Sequence, residues 1–427
     1  MVCAPVSSSP AGLPGGLPDR LIAHLDMDAF YASVELLRYP DLKGQAVVIG
    51  GRRMHEPRTL ADGTREYSRL RDYTGRGVIT TSTYAARDLG VFSGMGMMKA
   101  ALRAPDAVLL PVDFDEYRRY SRLFKAAVAE VAPVIEDRGI DEIYIDLSEV
   151  PGIEESVGHD ALGGVRALAQ EIRNNVRRTT GLTCSIGVTP NKLLSKIASE
   201  LDKPDGLTIL TEADIPARVW PLAVRKINGI GPKAAAKLNA LGIETVGQIA
   251  ERGRDWLVEK FGKSYGRWLH EASHGVDDRP VVTHSELVSM SRETTFERNL
   301  HAKADRRELT AIFTQLCEQV AADLRRKAYL GRTIGIKLRF DDFRTVTRDL
   351  TLPEGTNDPA LIRRAAGLCL KRVDLTQRLR LLGVRAGSLQ RADADSAVAR
   401  REGRPVRGAL APVAAEPELP LFGEGED

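Results

Sequence analysis

The stretch HLDMDAFYASVE, residues 24–35, constrains this chain more than any other. Its surroundings read as a strand, LIAHLDM, running into a helix, FYASVELL. On a strand, residues i and i+2 face the same way. That spacing predicts Asp26 and Asp28 on one face with His24 behind them, and Leu25 and Met27 turned toward a core. Two carboxylates so close repel, and burying them unpaired is costly. A divalent cation removes both penalties, and hard oxygen ligands favour Mg²⁺, Mn²⁺ or Ca²⁺ over zinc. A second acidic pair, Asp141-Glu142, follows a turn at Arg138-Gly139 and opens another apolar β segment, IYIDL. Either pair alone reads more readily as surface charge. Together they point to a shared metal site, where two ions about 4 Å apart activate an attacking oxygen and stabilise a leaving one in phosphoryl transfer. Phe30 reads as a core anchor, while Tyr31 sits where strand gives way to helix, placed to shape the site.

At 427 residues the chain is long enough for two to four domains. No apolar run reaches the ~20 residues that span a bilayer, and the leader MVCAPVSSSPAGLPGG lacks the basic and apolar regions of a signal peptide. Cys3, Cys184, Cys317 and Cys369 are far apart, which argues for a reducing, cytoplasmic setting and against a structural zinc site. Charge is uneven. Residues 281–390 hold 20 Lys and Arg against 13 Asp and Glu, in a chain whose net charge is +3. A basic module beside a more acidic one suits a polyanion-binding part joined to a metal-binding part.

Residues 44–50 read as a strand, 51–77 as a long polar loop, and 114–132 as a helix. Residues 134–150 carry a hairpin pattern, followed by a helix at 160–178, a strand at 183–189 and a helix at 191–201. Residues 205–275 read as short-looped helices. From 281 a separate α+β unit is expected: a strand, a helix over 304–330, strands in GRTIGIKLRF and FRTVTRDLTL, and a helix over 358–373. The composition after about residue 391 reads as a disordered tail.

Three segments carry phosphate or nucleic-acid signals. In TSTYAAR, Tyr84 and Arg87 share a helix face, and Ser82 or Thr83 is placed to cap that helix, making a phosphate cradle. Lys192 opens a helix after Pro190-Asn191, within reach of a triphosphate. NGIGPKAAAKL has the pattern of a helix–hairpin–helix, in which Gly229 and Gly231 expose backbone N–H groups to a DNA phosphate beside Lys233. In GRTIGIKLRF, Ile334, Ile336, Leu338 and Phe340 alternate with Thr333, Gly335, Lys337 and Arg339, one face core and the other basic. With Arg292, Arg332, Arg344 and Arg348 this makes a surface suited to tracking a duplex backbone.

These blocks resemble the Y-family DNA polymerases, and within them the DNA polymerase IV type. The resemblance runs over about residues 21–390, through HLDMDAFYASVE, TSTYAARDLGVFSGM, GIDEIYIDLS, CSIGVTPNKLLSKIASELDKPDGL, INGIGPKAAAKLNALGIETVGQIA, and SRETTFERNL with GRTIGIKLRFDDFRTVTR. It implies a multidomain α+β right hand. The palm would be 21–37 with 113–200, and the fingers 38–112 with an extended loop at 52–76. A helical thumb would follow at 201–278 and a DNA-binding little finger at 281–390, with residues 1–20 a leader and 391–427 a tail. It implies two Mg²⁺ ions, replaceable by Mn²⁺, held by Asp26, Asp141, Glu142 and the Met27 carbonyl; Asp28 belongs to the motif with its role as a ligand open. It implies that Tyr31 is a steric gate against a ribose 2′-OH, flanked by Phe30, and that Tyr84, Arg87 and Lys192 contact the incoming triphosphate. Gly139 stands where the family usually has Ser, and Tyr84-Ala85-Ala86-Arg87 where it has Tyr-Glu-Ala-Arg.

The implied activity is low-fidelity, template-directed synthesis past lesions, without proofreading, by a monomer acting on primer-template DNA and dNTPs. The tail ends ELPLF, which resembles the pentapeptide that bacterial polymerases insert into the sliding clamp, with Glu418 in place of Gln and Leu419, Leu421 and Phe422 as apolar anchors. Two other readings compete. A polymerase-like DNA-binding scaffold that recruits repair partners would be expected to lose an acid, and none is lost. A nucleotide cyclase would not need the helix–hairpin–helix or the basic unit.

Overall fold

A computed structural model describes residues 20–51, 53–153, 160 and 162–392. The leader and the tail, with Leu419, Leu421 and Phe422, lie outside the described residues. The chain divides into two units, residues 1–284 and 285–427.

The first unit is built round a five-stranded sheet. Its order is Leu207–Ile209, Cys184–Thr189, Ile22–Met27, Glu142–Asp146 and Ile135–Asp137. Ile22–Met27 lies at the centre, antiparallel to both neighbours. Leu25, Met27, Ile143 and Ile186 pack with Phe124 and Val176, so this face is covered by the helices Phe114–Ala129 and Gly163–Thr180. The other face, with His24 and Gly187, takes the helix Lys192–Ser199. Gly187 is required there, because a Cβ would run into the backbone of Ser195 and Ser199. The hairpin expected at 134–150 is present. Leu207–Ile209 extends the sheet by a parallel edge strand, so the sheet continues past residue 200 into a segment whose sequence reads as helical.

The fingers carry a second sheet, ordered Thr81–Ser82, Val47–Gly51, Val108–Pro111. The segment 52–76 is not a bare loop. It forms a short hairpin, Arg58–Thr59 with Arg65–Glu66, whose base is tied down where the Tyr67 hydroxyl donates to Asp41 Oδ2 at 2.8 Å. The thumb is helical, with Pro232–Ala240, Val246–Ala250, Arg254–Phe261 and Lys263–Ser273 around a core of Leu238, Ile243, Leu257 and Leu269.

The second unit is an antiparallel sheet in the order Ser289–Leu300, Leu379–Arg391, Tyr329–Phe340, Thr345–Thr356. The helices Arg306–Arg326 and Pro359–Leu370 pack against its Ile334/Ile336/Leu338/Phe340 face. The strand Leu379–Arg391 has no counterpart in the sequence reading, yet it is an inner strand with a neighbour on each side.

Candidate active site and nucleic-acid interface

Strand pairing brings the acids together. Asp26 lies directly opposite Glu142 on one side and Ser185 on the other. Asp141 immediately precedes the strand Glu142–Asp146, and its carbonyl accepts from Met27 N at 3.0 Å. One cleft is lined by Asp26, Met27, Phe30, Tyr31, Arg87 and Asp141, with Ala29, Thr80, Thr81, Ser93 and Lys203 completing it. Residues far apart in the sequence therefore share one space.

The electrostatics are those of a site that needs cations. Burial pushes Asp26 up to about 6, against the pull of Lys203, whose Nζ donates to Asp26 Oδ1 at 2.6 Å. Asp141 is also raised, first by burial and then by the like charge of Glu142. Glu142 is held down to about 2 by its contact with His24 Nε2 at 3.5 Å and by the ammonium of Lys196, against burial. The lysines supply positive charge where the carboxylates cluster, and the donors are hard oxygens, so the set suits a divalent cation. His24, Asp26 and Glu142 also offer ligand atoms all within 4.8 Å of one another. His24 is the poorer donor to a hard ion, and its Nδ1 lies 2.8 Å from Ser199 Oγ.

Three expectations change at atomic detail. The strand stops at Met27, and Asp28 lies in a turn that continues through Ala29 at φ +43°, so the period-two argument does not reach Asp28. Asp28 is buried, and both its oxygens are taken: Oδ1 by Ser185 Oγ at 2.8 Å and Oδ2 by Asp205 N at 2.8 Å. It ties the segment after Lys203 to the sheet. Lys192 is likewise withdrawn. Its Nζ is buried against Glu136 Oε2 at 2.5 Å, accepted also by Pro280 O at 3.2 Å, and sits over the Tyr144 ring. The lysines that reach the acids are Lys196, one helical turn beyond Lys192, and Lys203. Both stand within the quoted block CSIGVTPNKLLSKIASELDKPDGL, and nothing in their spacing separates them from Lys192. Finally, Thr83 does not cap the helix Tyr84–Asp88; its hydroxyl bonds to Gln45 O and Val47 N instead.

Tyr84 and Arg87 do share a face, the guanidinium lying 4.8 Å from the ring centroid. Arg87 Nε donates to Ser82 O at 3.2 Å. The Tyr84 hydroxyl is buried with no partner among the described residues, and burial and Asp28 push it up to about 12. A buried donor left free beside a cleft suits a ligand that accepts hydrogen bonds. Tyr31 faces the cleft from the first turn of the helix Phe30–Arg38, while Phe30 is buried against Phe124. In the thumb, Gly229 adopts φ +115° with its carbonyl accepting from Tyr265 Oη at 3.0 Å; Gly231 precedes the helix Pro232–Ala240, and Lys233 is exposed on it.

The second unit's sheet has an open face, opposite its helices. Lys337 and Arg339 lie on it, as expected, across from Thr347 and Thr345. Lys337 Nζ pairs with Glu293 Oε2 at 2.8 Å, and Arg339 Nε donates to Thr345 Oγ1 at 3.1 Å. Arg332 is exposed, and Arg344 leaves the sheet's end to bond Gln377 Oε1 at 2.7 Å. Arg348 and Arg292 do not join this face. Arg348 lies opposite buried Ile336, and Arg292 opposite buried Val384, where it forms a bidentate pair with Asp323 at 2.6 and 3.0 Å. Cross-strand partners point the same way, which places both on the helix side. Arg385, opposite Gly335 and Ser291, is the exposed open-face arginine that the sequence reading lacks, because it sits on the strand that reading omits.

Comparison with known proteins agrees with this geometry. The impB/mucB/samB family model matches residues 25–200, its C-terminal domain 288–398, and the IMS family HHH motif 212–243. A "DNA polymerase IV" of Streptomyces coelicolor is 38% identical over 86% of this chain and 71% of its own, and one of Methanoculleus marisnigri 39% identical over 87% and 95%. The chain belongs to the DNA polymerase IV family. A solved Y-family DNA polymerase chimera superposes with a TM-score of 0.69 at 25% identity, covering 86% of this chain and 98% of that one. Among the described residues, no helix is long and apolar enough to cross a membrane.

Proposed function

We propose that the chain is a template-directed DNA polymerase of the translesion class, transferring a nucleotide from a dNTP to a primer 3′-OH with loss of pyrophosphate. The observation that carries this reading is the convergence of Asp26, Asp141 and Glu142 at the ends of two paired strands, with Asp26 and Asp141 in one cleft with Tyr31 and Arg87.

Asp26, Asp141, Glu142 and the Met27 carbonyl would hold divalent cations, Mg²⁺ with Mn²⁺ as a substitute. When bound, these supply the positive charge that lowers the barrier to attack at the α-phosphate and steadies the departing pyrophosphate. Lys203 and Arg87 line the same cleft and neutralise triphosphate charge, and the free Tyr84 hydroxyl donates to it. Tyr31 closes the sugar side and rejects a 2′-OH. Asp28 works from behind, fixing the Asp205 backbone and so the placement of Lys203. Gly229, Gly231 and Lys233 of the thumb, with Arg332, Lys337, Arg339, Arg344 and Arg385 of the basic sheet, meet the DNA backbone without reading sequence. The reading includes a cytoplasmic monomer whose tail segment ELPLF docks on the sliding clamp.

Primer extension on a defined template, with Mg²⁺ and then Mn²⁺, is the direct test, expected to show distributive synthesis that continues past a lesion. No extension with either ion would overturn the proposal. Deleting residues 417–427 is expected to abolish stimulation by the clamp while leaving unassisted synthesis intact. Equal stimulation with and without the tail would remove the clamp from the reading.

A further inference from the structure

A ring can reject a hydroxyl only if the surface behind it does not yield. We propose that Tyr117 and Glu35 are positioning residues for sugar selection: the buried hydrogen bond between them locks the aromatic plate on which Tyr31 rests. The inference rests on Tyr31 being the sugar filter.

Tyr31 is half-exposed, and rings hold it. Tyr117 stacks on it with centroids 4.3 Å apart and planes inclined by 16°, and Phe114 meets both rings edge-on at 5.9 Å. The plate residues belong to the helix Phe114–Ala129, the filter to the helix Phe30–Arg38. One polar circuit ties the two helices together. The Tyr117 hydroxyl, fully buried, donates to Glu35 Oε1 at 2.7 Å. Glu35 is four residues beyond Tyr31, on the same face of the same helix, and is 2% exposed. Its other oxygen accepts from Arg38 NH1 at 3.3 Å, and that nitrogen also reaches Asp113 Oδ2 at 3.0 Å. Asp113 then caps the plate helix, its Oδ1 accepting from Glu116 N at 3.1 Å. The filter's helix thus carries the acceptor that fixes the plate, and the plate's helix carries the carboxylate that fixes the acceptor's counter-ion.

A buried, satisfied carboxylate has a plainer role, in stability alone. That role lowers the melting temperature and slows dNTP and rNTP insertion equally. A positioning role changes the ratio between them.

The test is single-nucleotide insertion by the full chain, with kcat and KM measured for a dNTP and its ribonucleotide. Tyr117→Phe keeps the ring and removes the hydroxyl. It is expected to raise the rNTP/dNTP ratio of kcat/KM roughly tenfold, the equivalent of one net hydrogen bond, mostly through the ribonucleotide terms. Glu35→Ala should do the same, and Glu35→Gln, which keeps an oxygen acceptor, should restore most of the discrimination. Because the plate acts only through the ring, Tyr31→Ala/Tyr117→Phe should match Tyr31→Ala alone. If Tyr31→Ala admits ribonucleotides while Tyr117→Phe and Glu35→Ala keep the wild-type ratio, the filter stands and the plate is refuted. If Tyr31→Ala itself changes nothing, the filter falls and takes this inference with it. Should Tyr117→Phe not fold, the comparison of Glu35→Ala with Glu35→Gln decides the matter alone.

Discussion

The cleft of the first unit and the open sheet face of the second both gather charge, yet they hold it differently. In and beside the cleft two of the acids each meet a particular cation from another element: Asp26 meets Lys203 and Glu142 meets Lys196, with all four side chains mostly withdrawn from water. On the sheet Lys337 and Arg339 are half-exposed and Arg385 is exposed. In the first setting a lost partner leaves a charge in low dielectric; in the second, water and salt replace it. Burial, more than the type of charge, therefore sets what each substitution should do.

The largest effect belongs to the acids. Asp26→Ala should reduce primer extension on the order of a thousandfold or more, the loss expected when a carboxylate that holds catalytic cations is removed. DNA affinity, measured by gel shift, should stay near wild type, because the basic sheet is untouched. Extension within about tenfold of wild type would break the contrast between the regions at its strongest point.

The next test lies inside the first unit and sets two lysines against each other. Lys192→Ala leaves Glu136, 6% exposed, without its ammonium, although Arg138 at 3.5 Å from Oε1 and Val282 N at 2.8 Å from Oε2 still donate to it. Losing one hydrogen bond to a buried charge that keeps other donors costs about 2 kcal/mol, so the melting temperature should fall by roughly 4–8 °C, with the dNTP KM unchanged. Lys203→Ala should instead raise the dNTP KM, since Lys203 lines the cleft. A raised KM with an unaltered melting temperature in Lys192→Ala would reverse the two assignments.

What was legible in the sequence follows from where local periodicity governs. The pairing of Asp26 with Glu142 was readable, since both belong to apolar strands with a period of two. Asp28 was not, because the strand ends one residue before it and the turn aims it at Ser185 and Asp205, far along the chain. Lys192 and Lys196 are equivalent by helical spacing, and only the strands beneath decide that one meets Glu136 and the other Glu142. The strand Leu379–Arg391 was missed because its arginines and glycines blur the alternation that its buried Leu379, Leu382, Val384 and Ala386 follow only in part. The side that Arg348 takes is legible in the sequence: it shares parity with Val346 and Leu350, which face the helices.

The smallest effect is the one that tests the faces of that sheet. A phosphate contact contributes mainly by releasing counterions, so its removal weakens binding alike on all sequences and lowers the salt slope by about one. Arg385→Ala should do this, measured by fluorescence anisotropy over a range of salt. Lys337→Ala should do less, because Glu293 already offsets its charge. Arg292→Ala should leave the slope alone and act on stability, since its partner is Asp323 on the helix side. Arg348→Ala should also leave it alone. If Arg292→Ala and Arg348→Ala lower the slope as much as Arg385→Ala, the two faces are not distinct toward DNA, and strand parity is not what selects the residues that touch it.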